Sequence, residues 1–212
     1  MTLTLYFLRH GETTHSLTGG FCGSTDPNLT PVGIEMAEAF AQAYKATPWS
    51  AIFASPMQRT RATVRPLSEA VGMPPQFRDG LRELDFGEWE NRMPDEVKTH
   101  YGEDYQNWIT EPAWNPPTGG ETAVQVASRA ALVIAEIEER YTEGNVLVVA
   151  HKTTIRIILC HLLGIDLGRY RDRIAMPVAS VSVVQFDRLG PMLQRLGDRS
   201  HFPEHLRHCS GT

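Results

Sequence analysis

Residues 145–150 (NVLVVA) form a run of apolar and β-branched side chains with no polar alternation, and His151 follows it directly. A strand that is apolar on both faces must be covered on both faces, and such strands belong to parallel sheets in α/β proteins. The rest of the chain supplies matching parts. Residues 3–8 (LTLYFL) are a second strand-forming run that stops abruptly at Arg9-His10-Gly11-Glu12, and residues 50–54 (SAIFA) are a third. Thr30-Pro31 reads as N-cap and first helical position, with an apolar face through Ile34, Ala37, Ala41 and Tyr44. Ser55-Pro56 repeats that cap-plus-proline start for a helix running to about Val71 and closed by Gly72. Residues 121–141 read as a long amphipathic helix with Ala127, Ala131, Ile134 and Tyr141 on one stripe. Residues 153–163 form the next helix, closed by Gly164. Residues 178–186 and 192–196 alternate like paired strands around the turn Asp187-Arg188-Leu189-Gly190. Strand and helix alternate throughout, which predicts a three-layer α/β/α fold with a mostly parallel central sheet.

A chain of 212 residues suits one domain. The expectation is a single domain over 1–212, with an irregular elaboration at about 73–120 and a C-terminal tail from about 198. The elaboration is rich in proline, holds three of the four tryptophans, and has short helices expected near 93–108. Residues 11–30, rich in Gly, Thr and Ser, read as a long loop, and a loop of that length in a compact domain is usually functional or disordered.

Charge excludes some partners. Twenty Lys+Arg stand against 25 Asp+Glu with no basic tract, which argues against a nucleic-acid surface, so any anion site must be built locally. Cys22, Cys160 and Cys209 are odd in number and far apart, which disfavours a disulfide framework or a zinc knuckle. MTLTLYFLRH lacks the basic lead and long apolar run of a signal peptide, and no apolar window reaches the length of a membrane span. The expectation is a cytoplasmic protein with no membrane partner, monomeric or homodimeric.

His10 and His151 share one context, each lying directly after a short apolar strand. Ligands of open α/β sheets bind beyond the carboxyl ends of the strands, so the two histidines can face each other across one crevice. The residues around them carry a resemblance. Leu8-Arg9-His10-Gly11-Glu12-Thr13 resembles the signature of the histidine phosphatase superfamily, the phosphoglycerate mutase-like family. Ser55-Pro56-x-x-Arg59-Thr60 resembles that family's segment with a second phosphate-binding arginine. The segment from Leu81 to Glu90 (LRELDFGEWE) resembles the one with its proton donor, and Val148-Val149-Ala150-His151 the one with its second histidine. Gly119-Gly120-Glu121-Thr122 is similar to its helix-start motif. The resemblance spans residues 3 to about 190.

The resemblance implies His10 as nucleophile, Glu83 as general acid, and His151 as a further donor to the pentacoordinate phosphorus, with Arg9 and Arg59 on the phosphoryl oxygens. These residue types suit the reaction. A phosphoryl group carries nearly two negative charges, and planar, permanently charged guanidinium forks drain charge from its equatorial oxygens. Neutral imidazole can attack, and a neighbouring phosphate dianion favours the protonated form of Glu83. The family also implies that the Gly11-Glu12-Thr13 loop and residues 16–25 wall the pocket. Thr13 and Ser24 are candidate hydroxyl donors to the phosphate, and Cys22 reads as a small filler. Where the family usually has glycine after the second histidine, this chain has Lys152, which either adds a cation to the pocket or points into solvent.

Sixty-seven residues separate Glu83 from His151, a compact middle like that of the family's phosphatase branch. The mutases it resembles carry a longer insertion there, so a cofactor-dependent phosphoglycerate mutase is the alternative. A binding module without catalysis would be expected to have lost His10, Glu83 or an arginine. The expected activity is metal-independent hydrolysis of small phosphate esters with no cofactor. Phosphoserine is the leading substrate; sugar phosphates, phosphoglycerate and α-ribazole phosphate remain open. In the tail, His201, His205 and His208 are spaced like one helix face but lack companion ligands for a metal, and residues 198–206 are a candidate flap over the pocket.

Overall fold

The computed structural model describes residues 2–207 and Cys209. Its strands are β1 (Leu3–Arg9), β2 (Trp49–Ala54), β3 (Gln76–Phe77), β4 (Gly144–Ala150), β5 (Val181–Asp187) and β6 (Gly190–Asp198), lying side by side in the order β3-β2-β4-β1-β5-β6. The first four strands in that order are parallel, β5 is antiparallel to β1, and β6 is antiparallel to β5. This is the three-layer α/β architecture expected, with the predicted hairpin as its antiparallel edge. The helices are α1 (Thr14–Thr18), α2 (Pro31–Tyr44), α3 (Gln58–Val71), α4 (Pro94–His100), α5 (Gly102–Thr110), α6 (Ala123–Arg140), α7 (Lys152–Leu163), α8 (Tyr170–Arg173) and α9 (Glu204–Arg207).

The lack of polar alternation in β4 has its reason in the layers. Val146, Val148 and Ala150 enter a core shared with α6 and α7, while Leu147 and Val149 enter the opposite one with Phe40, Ala41, Val64 and Leu67 of α2 and α3. Phe40 is fully buried there, and truncating such a ring to alanine costs about 3–5 kcal/mol. Leu81, Leu84, Phe86, Trp89, Val97 and Trp108, from the irregular segment, join the α6–α7 core.

Several local expectations need correction. Residues 11–30 are not all loop, since α1 forms within them behind a Thr13–Ser16 capping box. Ser55 does not cap α3: that helix starts at Gln58 with Met57 as N-cap and no side-chain cap bond. Ile34 is exposed; α2 buries Gly33, Met36, Ala37, Phe40 and Ala41 instead. The long helix starts at Ala123, capped by Thr122 and Gln125, and α7 begins one residue earlier than expected, at Lys152. Residues 198–206 do not form the flap expected of them. Phe202 and Leu206 are buried instead against Met36 of α2 and against Val178 and Ala179.

Candidate active site

β1 and β4 are neighbours in parallel register, Arg9 opposite Ala150, and the His10 amide donates to the Ala150 carbonyl at 3.1 Å. That register brings His10 and His151 off the same sheet edge with ring centroids 5.3 Å apart. The loop after β1 is pinned from both sides. Gly11 N–H donates to Thr63 Oγ1 at 2.9 Å, and Ala179 N–H donates to His10 O at 3.0 Å from a left-handed conformation (φ 47°). Gly11 and Gly33 are needed for close approach. A Cβ on Gly11 would lie 2.5 Å from Gly33 O, and one on Gly33 would lie 2.2 Å from Glu12 O, so α2 docks directly on the loop.

The hydrogen bonds fix the tautomers of both histidines. His10 Nδ1 lies 2.7 Å from the Gly11 carbonyl, an acceptor only, so Nδ1 carries the proton and Nε2 the lone pair. Arg59 Nε, a donor only, lies 3.1 Å from His151 Nδ1, so that nitrogen is bare and Nε2–H donates to Ser55 Oγ at 2.8 Å. Burial, and after it the charge of Arg59, holds both imidazoles well below their ordinary pKa, so both are neutral. The donor role toward phosphate that the resemblance implies for His151 therefore meets a neutral ring with both nitrogens engaged.

Arg9 and Arg59 are buried cations. Arg9 Nη1 donates to Met176 O at 2.6 Å, and burial lowers its pKa to about 9, which leaves it charged at neutral pH. Arg59 donates to Thr25 O at 2.7 Å and Gly23 O at 2.9 Å, with Asp26 at 3.3 Å. The 23–25 loop that receives it is itself held by Glu90. Its carboxylate accepts from the amides of Gly23 and Ser24 at 2.9 Å and of Thr25 at 3.1 Å.

Glu83 sits at the N-terminus of α7. Oε2 accepts from Thr153 N–H at 3.0 Å, and Oε1 accepts from Thr154 N–H at 3.1 Å and Leu84 N–H at 2.9 Å. His151, the N-cap, makes no side-chain cap bond, so the distant Glu83 takes that place beside the positive end of the helix dipole.

A cavity of about 370 Å³ gathers Arg9, His10, Thr13, Cys22, Arg59, Glu83 and Lys152, with Phe21, Phe86, Tyr105, Trp108 and Tyr170 as aromatic walls. His151 is fully buried just behind it. Ser24 lies outside this cavity, exposed, with its amide on Glu90. Lys152 lines it rather than pointing into solvent, and burial lowers its pKa to about 7. Burial pushes the Cys22 thiol up to about 11, which fits a filler and not a nucleophile. Arg156 and Arg171 also line the cavity, and sequence reasoning missed them. Ser55 and Glu90 lay inside quoted motifs, but their roles depend on long-range pairing. In the tail, His205 pairs with Glu35 at 3.3 Å, His201 packs on Phe40 and Tyr44, and His208 lies outside the described residues. No three His, Cys, Asp or Glu side chains converge as a metal site among the described residues.

One edge of a mostly parallel sheet thus gathers two neutral histidines, two buried arginines and a helix-capping glutamate, the set that the resemblance to histidine phosphatases implies. Residues 5–199 match the profile of the histidine phosphatase superfamily (branch 1), and the chain belongs to that family. It is 30% identical over 200 residues to phosphoserine phosphatase 1 of Hydrogenobacter thermophilus, covering 94% of each chain. It is 28% identical over 162 residues to the adenosylcobalamin/alpha-ribazole phosphatase of Escherichia coli, covering 76% of this chain and 80% of that one. Among solved structures, Bacillus stearothermophilus YhfR superposes with a TM-score of 0.87 at 26% identity, over 94% of this chain and 98% of the other. Mycobacterial glucosyl-3-phosphoglycerate phosphatase Rv2419c shares the fold, with a TM-score of 0.84 at 24% identity, over 93% of this chain and 99% of the other. The chain is thus a phosphatase, a hydrolase of phosphomonoesters. No helix among the described residues is long and apolar enough to cross a membrane.

Proposed function

We propose that this enzyme hydrolyses small phosphomonoesters in two steps through a phosphohistidine on His10, with phosphoserine as the leading substrate. The observation that carries the mechanism is the 2.7 Å bond from His10 Nδ1–H to Gly11 O, which leaves Nε2 as the basic nitrogen of a neutral ring lining the cavity. Nε2 attacks phosphorus while Arg9 and Arg59 take charge from the phosphoryl oxygens. The bond to the ester oxygen breaks, and protonated Glu83 gives that oxygen its proton. Water then attacks the phosphohistidine and gives a proton to the Glu83 carboxylate. The N–P bond breaks, and inorganic phosphate and neutral His10 return. Arg9 and Arg59 supply the positive charge that a divalent cation supplies elsewhere, so neither step needs a metal or cofactor.

Phosphoserine draws support from the near full-length relative named phosphoserine phosphatase 1. Relatives named for α-ribazole phosphate and structures named for glucosyl-3-phosphoglycerate have other substrates, so the choice is a matter for turnover. The test is to mix enzyme with substrate, quench in alkali and map the acid-labile phosphate. The adduct is expected on the peptide containing His10, and His10→Ala is expected to lose essentially all turnover. Wild-type kinetics in His10→Ala would sink the mechanism.

A further inference from the structure

Five cationic side chains line the cavity, Arg9, Arg59, Lys152, Arg156 and Arg171, against one carboxylate, Glu83. Arg9 and Arg59 flank His10 and account for the phosphoryl oxygens. Three cations are left over. Lys152 and Arg156 lie four residues apart on α7 and so share a helix face. Arg171 comes from α8, its guanidinium carbon 3.7 Å from the centre of the Trp108 ring, which seats it against the aromatic wall.

Among the described residues, none of these three makes an ion pair, whereas Arg169 and Arg173, two positions either side of Arg171, both pair with Asp172. Arg156 Nε is buried with no hydrogen-bond partner. Each lies within the field of another: the charge of Arg171 depresses both Lys152 and Arg156, and the charge of Arg156 depresses Lys152. Three like charges gathered in a half-buried wall, opposed by only Glu83 and, at Arg171, Asp172, favour the approach of an anion.

We propose that Lys152, Arg156 and Arg171 form a second anion subsite that receives a carboxylate of the substrate, so that the enzyme acts on phosphorylated carboxylic acids in preference to phosphate esters of uncharged alcohols or amines. This rests on the reading that the phosphoryl group sits over His10. Two planar guanidinium forks match a carboxylate in bidentate fashion, and the aromatic side chains that line the same cavity suit a short carbon skeleton. Among the described residues, Glu83 is the only carboxylate lining the cavity, so an ammonium group on the substrate gains no partner of its own. Phosphoserine and phosphoglycerate are accepted for the same reason, the carboxylate they share.

The test compares kcat/KM within two matched pairs, phosphoserine against phosphoethanolamine and 3-phosphoglycerate against glycerol 3-phosphate. The carboxylated member of each pair is expected to win by about tenfold or more, the scale of one charge-assisted hydrogen bond. Arg171→Gln should shrink both ratios by about tenfold, and Arg171→Glu should place phosphoethanolamine ahead of phosphoserine. Lys152→Gln, on a different helix, should shrink the same ratios, so a folding defect in one variant does not decide the matter. An enzyme that phosphorylates His10 with p-nitrophenyl phosphate yet shows wild-type ratios near one overturns the subsite alone. So do Arg171 and Lys152 variants that slow both members of a pair equally. An enzyme that forms no phosphohistidine overturns the proposed function, and the subsite with it.

Discussion

Arg59 Nε–H donates to His151 Nδ1 at 3.1 Å, and that bond decides which nitrogen of the second histidine keeps its proton. The remaining proton, on Nε2, goes to Ser55 Oγ at 2.8 Å, and the other arms of Arg59 go to the carbonyls of Thr25 and Gly23. In the proposed mechanism phosphate meets an arginine whose plane is already set by the residues after β2 and β4 and by the loop after α1, rather than one that must be ordered on binding.

A lysine at position 59 has no fork with which to hold His151 and two carbonyls at once. Arg59→Lys is therefore expected to lower kcat by roughly 10²–10³-fold, the cost of losing one pre-set donor to the transition state. The loss should be the same for p-nitrophenyl phosphate and for an alkyl phosphate, since both present the same phosphoryl oxygens. Retention of more than a tenth of wild-type kcat would show that charge alone suffices.

Ser55 gives a quieter test of the same relay. Ser55→Ala leaves a buried Nε2–H with no acceptor, which costs about 1–3 kcal/mol. For a domain of this size that is a fall in Tm of roughly 2–4 °C per kcal/mol. An unchanged Tm would mean that Ser55 Oγ is not the acceptor of that proton.

Much of this site was legible before the fold. The runs at 3–8 and 145–150 announce buried strands by composition alone, and the residues directly after such strands fall at the sheet's carboxyl edge. What was not legible depends on partners far away in sequence. Ser55-Pro56 looks locally like any cap, and only the placement of β4 beside β2 reveals Ser55 as the partner of His151. Ile34 fits a helical stripe. Yet α2 docks through Gly33, where only a missing side chain lets Glu12 O approach, and that rotates Ile34 to solvent. Arg156 and Arg171 carry no motif of their own, and their convergence with Lys152 is a product of how α8 folds back on α7.

Lys152 makes the subsite sensitive to pH. Burial lowers its pKa to about 7, assisted by the charges of Arg9 on β1, Arg156 on its own helix and Arg171 on α8, and opposed by Glu83. A lowered lysine is charged below about pH 7 and neutral above it. KM for a phosphorylated carboxylic acid should therefore rise as pH passes from about 6.5 to 8, and Lys152→Gln should flatten that rise. A KM profile of the variant identical to that of wild type would remove Lys152 from carboxylate binding.

The tail should make the fold acid-sensitive. His201 packs with ring centroids 5.7 Å from Phe40 and 4.6 Å from Phe202, and burial lowers its pKa to about 4, with Asp198 opposing and Arg199 assisting. Because the folded value lies below the unfolded 6.5, the unfolded chain takes up the proton first. The stability is complete above about pH 6.5 and is lost as pH falls toward 4, at up to about 1.4 kcal/mol per pH unit. His10 and His151 act in the same direction, so wild type should lose Tm throughout this window, and His201→Phe should lose less of it. Parallel Tm curves for the two proteins would refute the assignment.

Glu83 carries the most discriminating prediction, because it has two jobs that a single variant separates. Its carboxyl oxygens receive the amides of Thr153 and Thr154 and so cap α7, and in the proposed mechanism it also protonates the leaving oxygen. Glu83→Gln offers one oxygen where there were two and turns an amide NH₂ toward a backbone donor, so a fall in Tm is expected from the cap alone. That fall says nothing about chemistry. The leaving group does. An alkyl phosphate releases a strongly basic alkoxide, and Glu83→Gln should slow it by roughly 10²–10⁴-fold. The phenolate of p-nitrophenyl phosphate leaves without a proton, so its loss should be much smaller. A variant that is merely misfolded lowers both rates by the same factor, as does one whose phosphate site is displaced. The ratio between the two substrates therefore isolates proton donation. If that ratio does not move, Glu83 holds α7 in place, and the acid must be sought in its neighbours Asp85 or Glu88.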